Sequence, residues 1–147
     1  MFRGRFEISI DGKGRINVPS KLREHLTDKY DERLVITNFD NCLLAYPFVE
    51  WSALEQKFLK MSILKKEHKA FLRFFMSGAT ECALDKQGRI LIPPVLRDYA
   101  ALGKDVVVTG MLNKFEIWGK ERWDEEHAVV SKLNFEEMSD VLSEMGI

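Results

Sequence analysis

The sequence predicts a mainly β chain with helices, an α+β fold in which one ββαββ unit is used twice in tandem with additional helices after each copy. Three observations carry this. The segment 7–23 recurs at 81–97, Asp11 matching Asp85 at an offset of 74. Apolar residues alternate with period two on both sides of the turn in each segment, a short helix follows them within the copy, and longer runs of three- and four-residue apolar spacing follow each copy. In a chain of 147 residues, two such units are each too small to bury much surface alone, so cooperation between copies or subunits is expected.

Each element follows from local chemistry. Phe6, Ile8 and Ile10 alternate into a first strand, a glycine-bearing turn follows, and Ile16 and Val18 alternate into a second. Pro19 stops that strand and suits a helix start, with Ser20 as the expected cap before Leu22, His25 and Leu26. Segments 34–37 and 43–46 then read as a hairpin around Asn38, Phe39, Asp40 and Asn41. In the second copy Glu81, Asp85, Gly88, Arg89, Ile90, Pro93, Leu96 and Arg97 repeat Glu7, Asp11, Gly14, Arg15, Ile16, Pro19, Leu22 and Arg23. After a two-residue slip, 106–109 and 115–118 repeat the hairpin around a loop holding Gly110 and Asn113, and Trp118 and Trp123 match Tyr46 and Trp51.

Helical spacing appears in Trp51, Leu54, Phe58 and Met61, then in Leu64, His68, Phe71 and Phe75, with Gly78 placed to end the second helix. Packing against the sheet or a subunit explains this aromatic stripe better than a cofactor cradle does. Trp123, His127 and Val130, and then Phe135, Met138, Leu142 and Met145, make two more helices, Asn134 and Glu137 resembling a cap signal for the last. The expected organisation is a first unit at 5–51 with linker helices at 52–78, and a second unit at 79–123 with C-terminal helices at 124–147.

Composition narrows the function. Hydrophobic and charged fractions of 46% and 31% fit a globular chain, and no run approaches the ~18 apolar residues of a membrane span. The opening residues lack the apolar core of a secretory leader, which predicts a cytoplasmic protein. Cys42 and Cys82 are far apart, and His25, His68 and His127 have no ligand spacing around them, so no metal and no cofactor are expected. A phosphate-binding loop, a nucleophile elbow and a Ser or Cys with a positioned His are all missing, which argues against an enzyme. Although the net charge is −1, residues 1–26 carry six basic against three acidic side chains, and 120–147 carry three against eight. Such a basic head can bind an anion locally.

The turn is the candidate site. Strand alternation sends Ile16, Val18, Ile90 and Ile92 inward, so Arg15 and Arg89 emerge outward beside their turns. Gly14 and Gly88 are expected to supply a positive φ. Asp11 and Asp85, four residues before each Arg, can bond the turn amides or the guanidinium and so support the turn. A guanidinium held this way suits guanine O6 and N7 or a phosphate. Lys13 and Lys86 add charge for a DNA backbone, Gln87 can bond a base edge, and Arg3 and Arg5 are candidates for the same surface.

At these residues the sequence closely resembles the MraZ family of bacterial transcriptional regulators, with two AbrB-type units each bearing Asp-x-x-x-Arg. The likeness spans nearly the whole chain, including Met1-Phe2-Arg3-Gly4, Asp11 to Arg15 with Val18-Pro19, Asp85 to Arg89 with Ile92-Pro93, and Asn113 to Trp118. The resemblance implies that the units interlock as an AbrB-like swapped-hairpin β-barrel pseudo-dimer, and that subunits form a ring-like homo-oligomer. It also implies nucleoid association and binding to direct repeats in double-stranded promoter DNA of a cell-division and cell-wall gene cluster, usually with repression. An antitoxin-like protein-binding module of the same fold is the alternative.

Overall fold

In the computed structural model, residues 1–62, 64–131 and 135–147 are described. The first unit comprises β1 (Arg5–Ser9), β2 (Arg15–Asn17), α1 (Ser20–Lys29), β3 (Arg33–Phe39) and β4 (Cys42–Pro47). The helices α2 (Phe48–Leu59) and α3 (Lys66–Ser77) follow. The second unit repeats the order as β5 (Thr80–Ala83), β6 (Arg89–Leu91), α4 (Pro94–Tyr99), β7 (Asp105–Gly110) and β8 (Phe115–Gly119), with α5 (Lys120–Ser131) and α6 (Phe135–Glu144) after it. The fold is thus α+β.

Adjacent strands of one unit do not all pair with each other. A six-stranded antiparallel sheet runs β1-β7-β8-β4-β3-β5, and β2 and β6 form a separate two-stranded ribbon. β1 of the first unit lies against β7 of the second, with Phe6 opposite Val108, while β5 of the second lies against β3 of the first, with Cys82 opposite Leu34. Substituting each strand by its counterpart leaves the sheet order unchanged, with β8 and β4 meeting at the centre.

The sheet separates two apolar layers. On one side Ile16, Val18, Ile90 and Ile92 of the ribbon segments pack with Leu22 and Leu26 of α1, Leu96 and Ala100 of α4, and Phe2. Phe2 is buried against the rings of His25, Tyr30 and Phe115, so the chain start belongs to the core. On the other side Val35, Leu44, Tyr46, Val107 and Trp118 pack with Trp51, Phe58, Phe71, Phe75 and Trp123. The aromatic stripe therefore packs on the sheet, and the Tyr46–Trp51 ring pair recurs as Trp118–Trp123.

Several local expectations are corrected. Ser20 is the first helical residue and not the cap: the first helical bond runs from the Arg23 amide to the Pro19 carbonyl, and Pro93 does the same for Arg97. The first hairpin loop is only Asp40 and Asn41, both at positive φ (55° and 66°), with Phe39 opposite Cys42. Two consecutive left-handed residues are what a two-residue hairpin matching the strand twist demands. Gly110 lies in β7, opposite Phe115, and not in the loop; the Phe2–Arg3 backbone occupies the place its Cβ would take. Gly78 ends α3 without a left-handed φ; there the Asn38 side chain leaves no room for a Cβ. Met61 and Leu64 fall between helices, Met145 lies beyond α6, and Asn134 lies outside the described residues.

Cys42 is buried and Cys82 half-buried, both as free thiols; burial raises both, that of Cys82 to about 11. Among the described residues, no group of three His, Cys, Asp or Glu could hold a metal ion, and no helix is long and apolar enough to cross a membrane.

Because each unit borrows a strand from the other, both should unfold in one transition, with tryptophan fluorescence and far-ultraviolet circular dichroism coincident in urea. Ile90→Ala, which truncates a side chain 1% exposed between the ribbon and the sheet, should lower stability by about 2–5 kcal/mol in the same experiment. Two resolved transitions would contradict this account of the packing.

Candidate nucleic-acid interface

Both turns are built alike. Asp11 Oδ1 accepts the amides of Lys13 and Arg15 at 2.9 Å each, and Oδ2 accepts Arg15 Nε at 2.7 Å. Asp85 Oδ1 accepts the amides of Gln87 and Arg89 at 2.9 Å, and Oδ2 accepts Arg89 Nε at 2.9 Å. Gly14 and Gly88 adopt φ of 86° and 76°, as expected, so the chain reverses without the steric cost of a Cβ. Each carboxylate thus holds both the backbone of the turn and the direction of the arginine that leaves it.

The ion pair engages only Nε, which leaves the terminal nitrogens of each guanidinium for a second partner. Arg15 and Arg89 side chains are 29% and 25% exposed, each held beside its turn by the Nε–carboxylate bond. The Arg15 amide bond is the largest influence lowering the Asp11 carboxyl, to about 2, and the Arg15 guanidinium and Lys13 amide add to it. Asp85 is lowered through the equivalent bonds, led by the Arg89 amide. Both carboxylates are therefore ionised at neutral pH, which makes them supports for the turns and not proton donors.

The ribbon brings the two turns together. Arg15 pairs with Leu91, Ile16 with Ile90, and Asn17 with Arg89. Two further backbone bonds cross between units, from the Val18 amide to the Gly88 carbonyl at 3.0 Å and from the Ile92 amide to the Gly14 carbonyl at 2.8 Å. Ile16 and Ile90 point into the core, so Arg15, Asn17, Arg89 and Leu91 share the outward face. The two arginines are diagonal neighbours on it, roughly 7–8 Å apart by the usual ladder geometry.

Lys13, Lys86 and Gln87 are exposed in the same turns. Arg3 and Arg5 are not brought to them. β1 turns Phe6 and Ile8 toward the ribbon side of the sheet, which sends Arg5 with Glu7 to the opposite side, where Lys120 begins α5. Arg3 stays exposed at the far end of β1, where the chain start lies along Gly110.

Sequence reasoning gave Arg23 and Arg97 no role, although they match in the repeat. A Cβ on Gly14 would stand 2.7 Å from Arg97 Cζ, and one on Gly88 would meet the Arg23 guanidinium. The arginine from each unit's helix thus crosses the turn glycine of the other unit. The repeat identity itself was the available signal, but it does not say which unit the side chain reaches.

A family model described as "MraZ protein, putative antitoxin-like" matches the chain twice, at residues 1–74 and 75–143. The chain is 45% identical over 147 residues to "Transcriptional regulator MraZ" of Natranaerobius thermophilus, covering all of both chains. It is 44% identical over 146 residues to the protein of that name in Syntrophobacter fumaroxidans, covering 99% of this chain and 97% of the relative. In Desulforamulus reducens the figure is 46% over 140 residues, covering 95% and 96%.

The depressed carboxyl gives a test of the turn. A group lowered on folding stabilises the folded form above its ordinary value of 3.8 and loses that contribution as pH falls to about 2. Carbon-detected NMR should therefore place the Asp11 midpoint near 2. In Arg15→Ala it should rise only part of the way, because the amide bond that acts most strongly remains. A wild-type midpoint near 4 would show that the carboxylate does not hold the turn.

Proposed function

This chain belongs to the MraZ family of transcriptional regulators, and from that premise we propose that it binds double-stranded promoter DNA sequence-specifically through the paired Asp-x-x-x-Arg turns. As such it is a regulator and not an enzyme. The observation that carries the reading is the β2–β6 ribbon, which sets two oriented arginines from different units on one outward face. A two-stranded ribbon fits the major groove, where a guanidinium fork matches guanine O6 and N7. Lys13 and Lys86 stand beside it for phosphates, and Gln87 for a base edge or phosphate. Arg3 and Arg5 lie off this face and take no part in the ribbon contact.

The finer reading extends the resemblance noted in the sequence. The two units, 5–51 and 79–123, form a swapped-hairpin β-barrel pseudo-dimer, which the exchange of β1 and β5 supports. Subunits assemble into a ring, each ribbon meeting one of several direct repeats upstream of a cell-division and cell-wall gene cluster, which the protein represses from the cytoplasm in association with the nucleoid. A second reading, an antitoxin-like module that covers a protein partner, is favoured by the apolar residues that α6 leaves exposed, Phe135, Met138, Val141 and Leu142. Stoichiometric capture of one protein by chain that retains no promoter DNA at any salt would favour it.

Arg15→Ala and Arg89→Ala should each weaken binding to the DNA upstream of the protein's own gene by about 1–3 kcal/mol in a mobility-shift titration, without unfolding the chain. Undiminished affinity in the double variant would remove the ribbon as the reading face. Affinity should also fall steeply as salt rises, since phosphate contacts release bound counterions; a flat response would exclude them.

A further inference from the structure

The two turns share a geometry but not an outward face. At the third position of each ribbon strand the first unit has Asn17 and the second Leu91, and four residues on, at the exposed start of each helix, Lys21 is matched by Val95. The two ribbon strands thus carry different outward residues beside their arginines, a polar one at Asn17 and an apolar one at Leu91. Leu91 is 55% exposed and Val95 76%, so neither contributes much to the core. The register sets Leu91 directly opposite Arg15, and Asn17 directly opposite Arg89. Paired side chains of this kind lie within about 4.5–5.5 Å at Cβ and act as a unit on whatever the face meets.

We propose that Asn17 and Leu91 are specificity-determining residues of this face, Asn17 reading adenine and Leu91 the 5-methyl group of thymine. This rests on the DNA-binding reading above and deepens it. The edges of base pairs in the major groove are polar except for the thymine methyl, so an exposed leucine between two arginines has one apolar partner there. The carboxamide of an asparagine matches adenine N6 and N7 in the same groove. Each arginine is then read together with a different neighbour: Arg15 with Leu91 as a guanine beside a thymine, Arg89 with Asn17 as a guanine beside an adenine. The face has pseudo-two-fold backbone symmetry but a chemically directional set of readers, so the bound site has a direction along the duplex.

The test uses the full chain and a duplex selected with it from a random-sequence pool. Replacing each thymine singly by uracil removes only the methyl group. Wild-type protein should lose about fourfold in affinity at one position, the worth of one apolar carbon taken out of water. Leu91→Asn should bind the thymine and uracil duplexes equally, and Leu91→Ala should confirm this at a site too exposed for either change to unfold the chain. Replacing one adenine by 7-deazaadenine should cost the wild type severalfold and Asn17→Ala nothing. Wild-type indifference to uracil at every thymine would overturn the role of Leu91, as would sensitivity that persists in Leu91→Asn. A change of oligomer size in Leu91→Asn with base preference intact would do the same, assigning the leucine to a contact between copies. Persistence of the 7-deazaadenine effect in Asn17→Ala would overturn the role of Asn17. If selection recovers a duplex and these substitutions are silent, only this inference fails; if no duplex is recovered, the DNA-binding reading fails and this one with it.

Discussion

The exchange of first strands between the two units is the constraint on which the rest of the structure depends. A strand edge carries amides and carbonyls that need partners, and the β1 edge finds them on β7 while β5 finds them on β3. With β1 and β5 committed outward in this way, the segment after each turn leaves the main sheet, and among the described strands β2 pairs with β6. The ribbon therefore exists because neither unit closes on itself. It also follows that the spacing of Arg15 and Arg89 is set by a backbone ladder and four buried side chains, and not by the linker helices between the copies.

Within that frame the aspartates act mainly through geometry. An exposed ion pair contributes little to stability, and Asp11 and Asp85 sit at the surface. What they add comes from accepting two amides and one guanidinium nitrogen at once, which fixes the arginine stem relative to the reversed backbone. The crossing arginines work from the other direction. Arg97 lies over Gly14 and Arg23 over Gly88, so a side chain larger than hydrogen at either glycine would meet both a disfavoured φ and the neighbouring unit. Each turn is thus shaped by its own carboxylate and bounded by the opposite unit's helix.

Much of this was legible in the sequence because duplication and period-two alternation both survive without knowledge of neighbours. Alternation marks Ile16, Val18, Ile90 and Ile92 as inward, and the four-residue spacing of Asp and Arg offers the turn amides or the guanidinium as the carboxylate's partner, where the structure has both. Alternation says which side of a strand is buried, but not which strand lies beside it, so the partners of β1 and β5 could not be read from the residues themselves. The same limit explains the smaller corrections. Gly110 and Gly78 are required by contacts with Phe2–Arg3 and Asn38, segments far away in the chain, and local turn chemistry cannot reveal them. Arg5 looked like part of the basic head because sequence proximity was the only measure available; strand parity carries it to the other side of the sheet.

The positions at which the two copies agree and differ follow from the same geometry. Asp, Gly, Arg, the inward Ile and the Pro that starts the helix are identical, and each answers a demand of the local structure: two amides to accept, a left-handed backbone, a carboxylate to pair, a tightly packed core and a strand that must stop. At the exposed positions 13, 17 and 21 against 87, 91 and 95, no side-chain hydrogen bond or ion pair is made among the described residues, and there the copies carry Lys, Asn and Lys against Gln, Leu and Val. A scaffold that repeats itself this closely would be expected to present the same surface twice. That Asn17 in one ribbon strand stands where Leu91 stands in the other, while the supporting contacts stay paired residue by residue, puts a difference on the side of the ribbon that faces away from the protein. The scaffold's symmetry fixes where the readers stand, and the divergence of the outward side chains sets what each can recognise.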